Sequence, residues 1–361
     1  MDLFIPNFQG SQATIMDAPF YAHDHPREGE MLKEIIHHVA NLCQAAVIMN
    51  NLKEPTDDLD RLIARHQEIR EATKAYPDFL PVMSIMMTPR TTVNTIRACA
   101  PDAKLLKLIP TGASTNSQTG VALENLKSYY PVLEELEKQG MIFSVHAERT
   151  HDDNGEEIPE SDREEAAISI MERIIRDFPG LHLSIEHPST KRMCELVLAS
   201  SKNVVGPLTV HHPLFNDLLL RDRFGKINPD WYCKPVLKSE ENRRFIEEMM
   251  LSGLEKFFLG PDSAAHPYSK KFDTYPPYAG IYSAPVIMPL LAECFARAGK
   301  LDRLENFSST YGMKFYGLKK NSKKIIVWRD DEPWTVPEFV GSERIPVLMG
   351  GRELYWRAEP Y

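Results

Sequence analysis

Two rhythms of apolar and polar residues alternate along this chain. Short apolar runs are followed by longer stretches whose apolar positions recur three or four residues apart, as in strands feeding amphipathic helices. The first strand is expected at Pro19 to Asp24 and the first helix near Glu28 to Leu42. AAVIMNN from Ala45 reads as a strand, and Asp58 to Ala75 as a helix. FLPVMSIMM, TTVNTIRACA and LLKLIP, ending at Pro110, continue the alternation. A helix near Leu123 to Lys138 leads into MIFSVHAE, and a helix over Asp162 to Asp177 leads into LHLSIEHP. NVVGPLTV and KFFLGPDS complete a set of eight strands, the number that closes a (β/α)8 TIM barrel. Asp222 to Lys238 and the Tyr- and Pro-rich Lys270 to Pro285 break the rhythm and read as long functional loops. The chain is expected to be a single barrel domain, its core about 15–320, with a small strand-pair C-terminal extension over about 321–361.

Composition narrows the function classes. The 361 residues are 43% hydrophobic and 26% charged, as in ordinary globular chains. A net charge of −9 argues against nucleic-acid binding, which needs clustered Lys and Arg, yet leaves room for a small anionic substrate. The five cysteines have no CxxC spacing and are odd in number, so neither a complete disulfide framework nor a cysteine zinc site is expected. No leader peptide or membrane span is read, and a cytoplasmic protein is expected.

Polar residues at strand ends carry the candidate chemistry. His23 and His25 flank Asp24 at the end of the first strand, and alternation sends both imidazoles to one face. Such a pair suits zinc or a similar divalent ion, although a surface turn with two polar histidines fits the same three residues. Lys107, His146, His187 and Asp262 each follow an apolar run at an equivalent strand end. That rim is the active-site face of a barrel. Singly, each has a plainer explanation, such as a core histidine, a capping Asp or a snorkelling Lys. Together at one rim they point to a metal site. His37, His38 and His66 fall on helices and, with His151 and His182, are read as structural; His211 and His212 sit at the rim with a supporting role open.

Here a resemblance becomes specific. HDHPREGEM resembles the opening metal motif of the single-chain bacterial (class II) dihydroorotases of the amidohydrolase superfamily. AVIMNNL, KLIPTGASTNSQTGV, SVHAERTH, IEHPSTK, WYCKPVLK and FLGPDSAAH resemble later motifs of that family in the same order, over about residues 19 to 320. The resemblance implies two divalent metal ions, Zn2+ by expectation. His23, His25 and Asp262 would hold one, His146 and His187 the other, with a carboxylated Lys107 bridging them. It implies Arg27, Asn51 and His266 around a substrate carboxylate, Ser114 and Thr115 on a mobile loop, and backbone near Cys233 and Ala279 at the ring edges. The implied reaction is the reversible cyclisation of N-carbamoyl-L-aspartate to L-dihydroorotate in pyrimidine biosynthesis. Two metal ions would activate water, with Asp262 as the proton acceptor and donor. A small-molecule substrate is expected, with no nucleic-acid or membrane partner, and the resemblance suggests a homodimer.

The chain departs from the family pattern near the implied substrate contacts. Asn50 stands where the family has Pro, Lys234 where it has an apolar residue, and Pro261 where Thr is usual; HPYSKKFDTYPPYAG also differs. If Lys234 faces the pocket, it adds a positive charge there. Two other readings follow. One is a related cyclic amidohydrolase, hydantoinase- or dihydropyrimidinase-like, that does not need Arg27. The other is a non-catalytic barrel serving as an assembly partner.

Overall fold

The computed structural model describes residues 13–50 and 52–361. The alternation read from the sequence closes into a parallel barrel. After β1 (Ala13–Asp17), the barrel strands are β2 (Phe20–His25), β3 (Ala45–Ile48), β4 (Leu80–Met86) and β5 (Leu105–Leu108). They continue as β6 (Ile142–Val145), β7 (His182–Ile185), β8 (Val204–Val205) and β9 (Ser263–Ala264). Neighbours in sequence are neighbours in the sheet, and β9 returns to pair with β2. Backbone from 256 to 260 completes the ring. Leu208 N donates to Phe258 O at 2.8 Å, and Ala22 N donates to Leu259 O at 3.1 Å.

Two cores follow from strand alternation. Phe20, Ala45, Val82, Leu105, Ile142, Val205 and Phe258 fill the barrel interior, plugged below by Met313 and Tyr316. Tyr21, Ala46, Met83, Leu106, Phe143 and Leu183 face outward under the helices. Side-chain caps set several helix starts. Asp58 accepts from Arg61 N ahead of Leu59–Ala72, Thr92 and Thr95 form a reciprocal box ahead of Val93–Cys99, and Thr190 accepts from Met193 N ahead of Lys191–Ala199.

The structure adds a strand ahead of the barrel and a short pair within the C-terminal extension. β1 pairs antiparallel with β10 (Lys324–Thr335), whose other edge carries β13 (Glu353–Pro360). The C-terminal strand pair is therefore the larger part of a three-stranded sheet completed by residues preceding the barrel. Between β10 and β13, the short β11 (Phe339–Val340) and β12 (Ile345–Pro346) pair with each other. Ile325, Val327, Leu354 and Trp356 of this sheet join the same apolar cluster as the buried helix Ile287–Arg297. The predicted helix over 123–138 divides into a 3-10 turn, Leu123–Tyr129, and an α-helix, Tyr130–Gln139. No helix among the described residues is long and apolar enough to cross a membrane.

Candidate metal centre and substrate pocket

Two backbone irregularities bring the polar strand ends together. In β2 the register runs from Tyr21↔Ala46 to Asp24↔Ile48, so three steps on β2 face two on β3. This bulge reverses the alternation. Phe20 and Ala22 line the barrel interior below it, and His23 and His25 reach the interior above it. In the segment after β7, His187 has a left-handed φ of 39°, so consecutive Glu186 and His187 both reach the interior. Arg27 and Asp262 have φ of 60° and 48°. Left-handed non-glycine residues cost about 1 kcal/mol or more each, and three of them at one rim mark where packing overrides backbone preference.

The ligand-type atoms form two adjoining groups. His25 Nε2 lies 3.0 Å from Asp262 Oδ1, His23 Nε2 lies 3.3 Å from it, and the two Nε2 atoms are 3.0 Å apart. Beside them, His146 Nδ1 lies 3.2 Å from His187 Nε2. The His23 and His187 rings join the groups at a centroid distance of 5.2 Å, and ligand atoms of His23, His187 and Asp262 lie within 4.8 Å of one another. All these side chains are buried.

Carboxylates missed in the sequence reading fix the ring orientations. His23 Nδ1 pairs with Glu186 Oε2 at 2.8 Å, and His146 Nε2 with Glu148 Oε2 at 2.7 Å. Each pair leaves the opposite ring nitrogen to face the centre, as carboxylate-backed metal histidines do. Ser144 and Ser184 hydroxyls each donate to Glu186 Oε1 at 2.7 Å, locking that carboxylate inside the barrel. The signal was present in the sequence: both acids sit one or two residues from a candidate ligand, in HAE and EHP.

Electrostatics agree with a centre short of positive charge. Burial drives the His23 and His187 imidazoles well below the usual histidine range, which favours the form that offers a lone pair. Burial pushes Asp262 upward, but His23 and His25 outweigh it and hold the carboxyl below its ordinary value. Lys107 Nζ, on the interior parity of β5, is buried and has no hydrogen-bond partner among the described residues. Burial pushes its ammonium down to about 8, against the pull of Glu186 and Asp262. A buried lysine with no partner among the described residues is costly. Tetrahedral zinc sites with bonds of about 2.0–2.2 Å place their ligands roughly 3.3–3.6 Å apart. The convergent nitrogens and oxygen come close to that spacing, so the donor set fits divalent cations.

The implied substrate residues are joined in a chain beside the centre. Arg27 Nε donates to Ala265 O at 2.5 Å, and Arg27 Nη2 lies 3.0 Å from His266 Nε2. His266 Nε2 is also 2.9 Å from Ala279 O, to which the Thr115 hydroxyl donates at 3.4 Å. Ser114 and Thr115 line a cavity of about 360 Å³ with Tyr232, Lys234, Tyr278 and Ala279. The Cys233 side chain turns into the core, where its thiol donates to Pro235 O at 3.2 Å. His212 is tied to Thr209 and Pro235, and buried His211 has no hydrogen-bond partner among the described residues; neither joins the rim group, although both lie near Cys233. Lys234 does line the cavity, but its ammonium pairs with Glu160, which also accepts from Tyr232 OH at 2.9 Å. Asn51 lies outside the described residues, while the neighbouring Asn50 is buried with neither side-chain polar atom paired among the described residues.

The chain is similar to known proteins along nearly its whole length. No family model matches the chain. The dihydroorotase of Teredinibacter turnerae is 37% identical over 343 residues, covering 93% of this chain and 96% of its own length. That of Leptothrix cholodnii is 37% identical over 339 residues, covering 93% and 95%. Among solved structures, Campylobacter jejuni dihydroorotase superposes with a TM-score of 0.86 at 31% identity, over 98% of this chain and 99% of that one. Saccharomyces cerevisiae dihydroorotase, solved with 5-fluoroorotic acid, gives 0.89 at 26% identity over 97% and 99%. An Arthrobacter aurescens L-hydantoinase (dihydropyrimidinase) gives 0.78 at 15% identity over 96% and 82%, a likeness of fold alone.

Proposed function

This chain belongs to the dihydroorotase family, and from that premise we propose that it interconverts N-carbamoyl-L-aspartate and L-dihydroorotate in pyrimidine biosynthesis. The observation that carries the reading is the convergence of His23, His25, His146, His187 and Asp262 at one rim, with Arg27 and His266 beside them. The family is metal-dependent. His23, His25 and Asp262 would hold one divalent ion, His146 and His187 a second, with Lys107 between them, and zinc-type ions so held would polarise the ring carbonyl and acidify water. Carboxylation of Lys107 belongs to the same proposal. The neutral amine adds carbon dioxide and releases a proton, turning an unpartnered nitrogen into a two-oxygen anionic donor.

The chain's own residues supply recognition and proton movement. Arg27 offers a planar fork to the substrate carboxylate, and His266 steadies the same group. The S. cerevisiae relative was solved with a pyrimidine carboxylate, 5-fluoroorotic acid, which suits such a pocket. Asp262, whose carboxyl is held below its ordinary value, accepts the proton of the incoming water on its carboxylate oxygen. It returns that proton to the ring nitrogen as the C–N bond breaks; in ring closure the same transfers run backwards. Glu186 and Glu148 hold His23 and His146 in register meanwhile. The reading treats the whole chain as one catalytic unit and includes a homodimer in the cytoplasm, which sedimentation and cell fractionation measure. Its direct test assays metal-loaded, bicarbonate-treated protein for both directions of the reaction beside Asp262→Asn. Turnover that vanishes in the variant supports it. No turnover in a chain holding about two metals overturns it and leaves a related cyclic amidohydrolase.

A further inference from the structure

Lys271 was not singled out in the sequence, yet it is one of the most deeply buried charged residues, 2% exposed, in the short helix Tyr268–Phe272. Its ammonium donates to three backbone carbonyls: Gly280 O at 2.8 Å, Tyr278 O at 3.1 Å and Tyr232 O at 3.2 Å. An ammonium has three donors, so its capacity is filled. The three acceptors belong to two separate loops. Gly280 N donates to Tyr232 O at 2.9 Å, which ties those loops to each other at the same point.

Both loops border the substrate pocket. Ala279, between two of the acceptors, presents its carbonyl to His266 and Thr115. Tyr232 precedes Cys233 and lines the cavity with Ser114, Thr115 and Ala279. The fit leaves little slack. Gly280 has a φ of 148°, and a Cβ there would meet His266 Nε2 at 2.8 Å and Ala264 Cβ at 2.9 Å.

We propose that Lys271 is a positioning residue for substrate binding: its buried ammonium clamps the 232 and 278–280 loops into one wall of the pocket, against Arg27 and His266. The proposal rests on the functional reading above for the identity of the substrate. Burial draws the ammonium down to about 8, with Cys233 and Asp230 opposing. Lys271 touches neither the metal-ligand group nor the reacting atoms, so its loss falls on binding.

The test compares wild type, Lys271→Met and Lys271→Gln by steady-state kinetics with dihydroorotate, metal content, and hydrogen exchange of the 276–283 segment. The expected result for Lys271→Met is a KM raised about 10- to 100-fold, as for lost charge-assisted hydrogen bonds. Its kcat stays within about threefold, metal content is unchanged, and exchange at Gly280 N–H is faster. Lys271→Gln, with donors on a shorter neutral arm, falls between. Unchanged KM, unchanged exchange, or a loss confined to kcat with metal released each overturns the clamp. If Lys271→Met does not fold, Lys271→Gln decides by the same readouts. A wild type that does not turn over dihydroorotate sinks the functional reading instead, and exchange alone then decides whether Lys271 holds the loops.

Discussion

At the proposed metal rim, the ring- and carboxylate-bearing residues sit at or beside strand ends: His23 and His25 in β2, His146 after β6, His187 after β7, Asp262 before β9. Across the pocket, the substrate side is made of loop backbone: Tyr232, Ala265, Tyr278, Ala279 and Gly280, held by Lys271, Arg27 and His266. The rim is positioned by the sheet ladder, which fixes each residue within the barrel before any side chain is placed. The wall is positioned by side chains, Arg27 reaching from far along the chain and Lys271 and His266 from residues shortly before the loop they hold. On the proposed reading, chemistry is thus carried by the barrel strands, and recognition by loops that substitution can reshape without disturbing a ligand. The departures from the family pattern at Lys234 and in HPYSKKFDTYPPYAG lie on the wall.

Breaking the rim has the largest expected effect. Asp262→Asn removes the proton acceptor and one ligand-type oxygen, and kcat is expected to fall about a thousandfold or more, measured beside metal content. A fall below tenfold would place the proton transfer elsewhere. Next comes the wall's charged contact. Arg27→Met is expected to raise KM for dihydroorotate about a hundredfold while sparing turnover of uncharged cyclic amides. Equal loss on both substrate classes would show that Arg27 supports the rim rather than the carboxylate. Glu148→Gln should weaken metal retention about 10- to 100-fold in chelator competition, because His146 loses its orienting anion. Retention equal to wild type would show that the ring is held by packing alone.

The same contrast explains what the sequence could reveal. The eight strands and their polar ends were legible because alternation is local, and local pattern places His23, Lys107, His146 and Asp262 at equivalent positions. The bulge in β2 and the left-handed φ at Arg27, His187 and Asp262 were not, since no Gly or Asn marks them and the surrounding packing imposes them. β1 was missed because its partner, β10, lies some three hundred residues away. Glu148 and Glu186 could have been found from their spacing to histidines. Lys271 could not: two lysines in a polar loop look like a solvated surface, and only the folded loop shows which one is buried.

Lys234 gives the smallest effect and the sharpest view of the wall. A lysine where the family pattern has an apolar residue invites the idea of a second cation for the substrate. In the fold its ammonium is already paired with Glu160 and sits 5.2 Å over the Tyr232 ring, while the Tyr232 hydroxyl holds the same carboxylate. Glu160 is half-buried, so the pair is partly screened and contributes about 1 kcal/mol or less to stability. If that charge is neutralised within the wall, Lys234→Leu shifts KM for dihydroorotate by less than about threefold. Glu160→Gln then shifts it little more, and the double variant behaves as the sum of the two less their mutual contact. If the lysine instead serves the substrate, Lys234→Leu raises KM more than tenfold. Glu160→Gln, by freeing the ammonium, would lower KM in that case, so the sign of its effect separates a wall that spends its charge internally from one that presents it to the ligand.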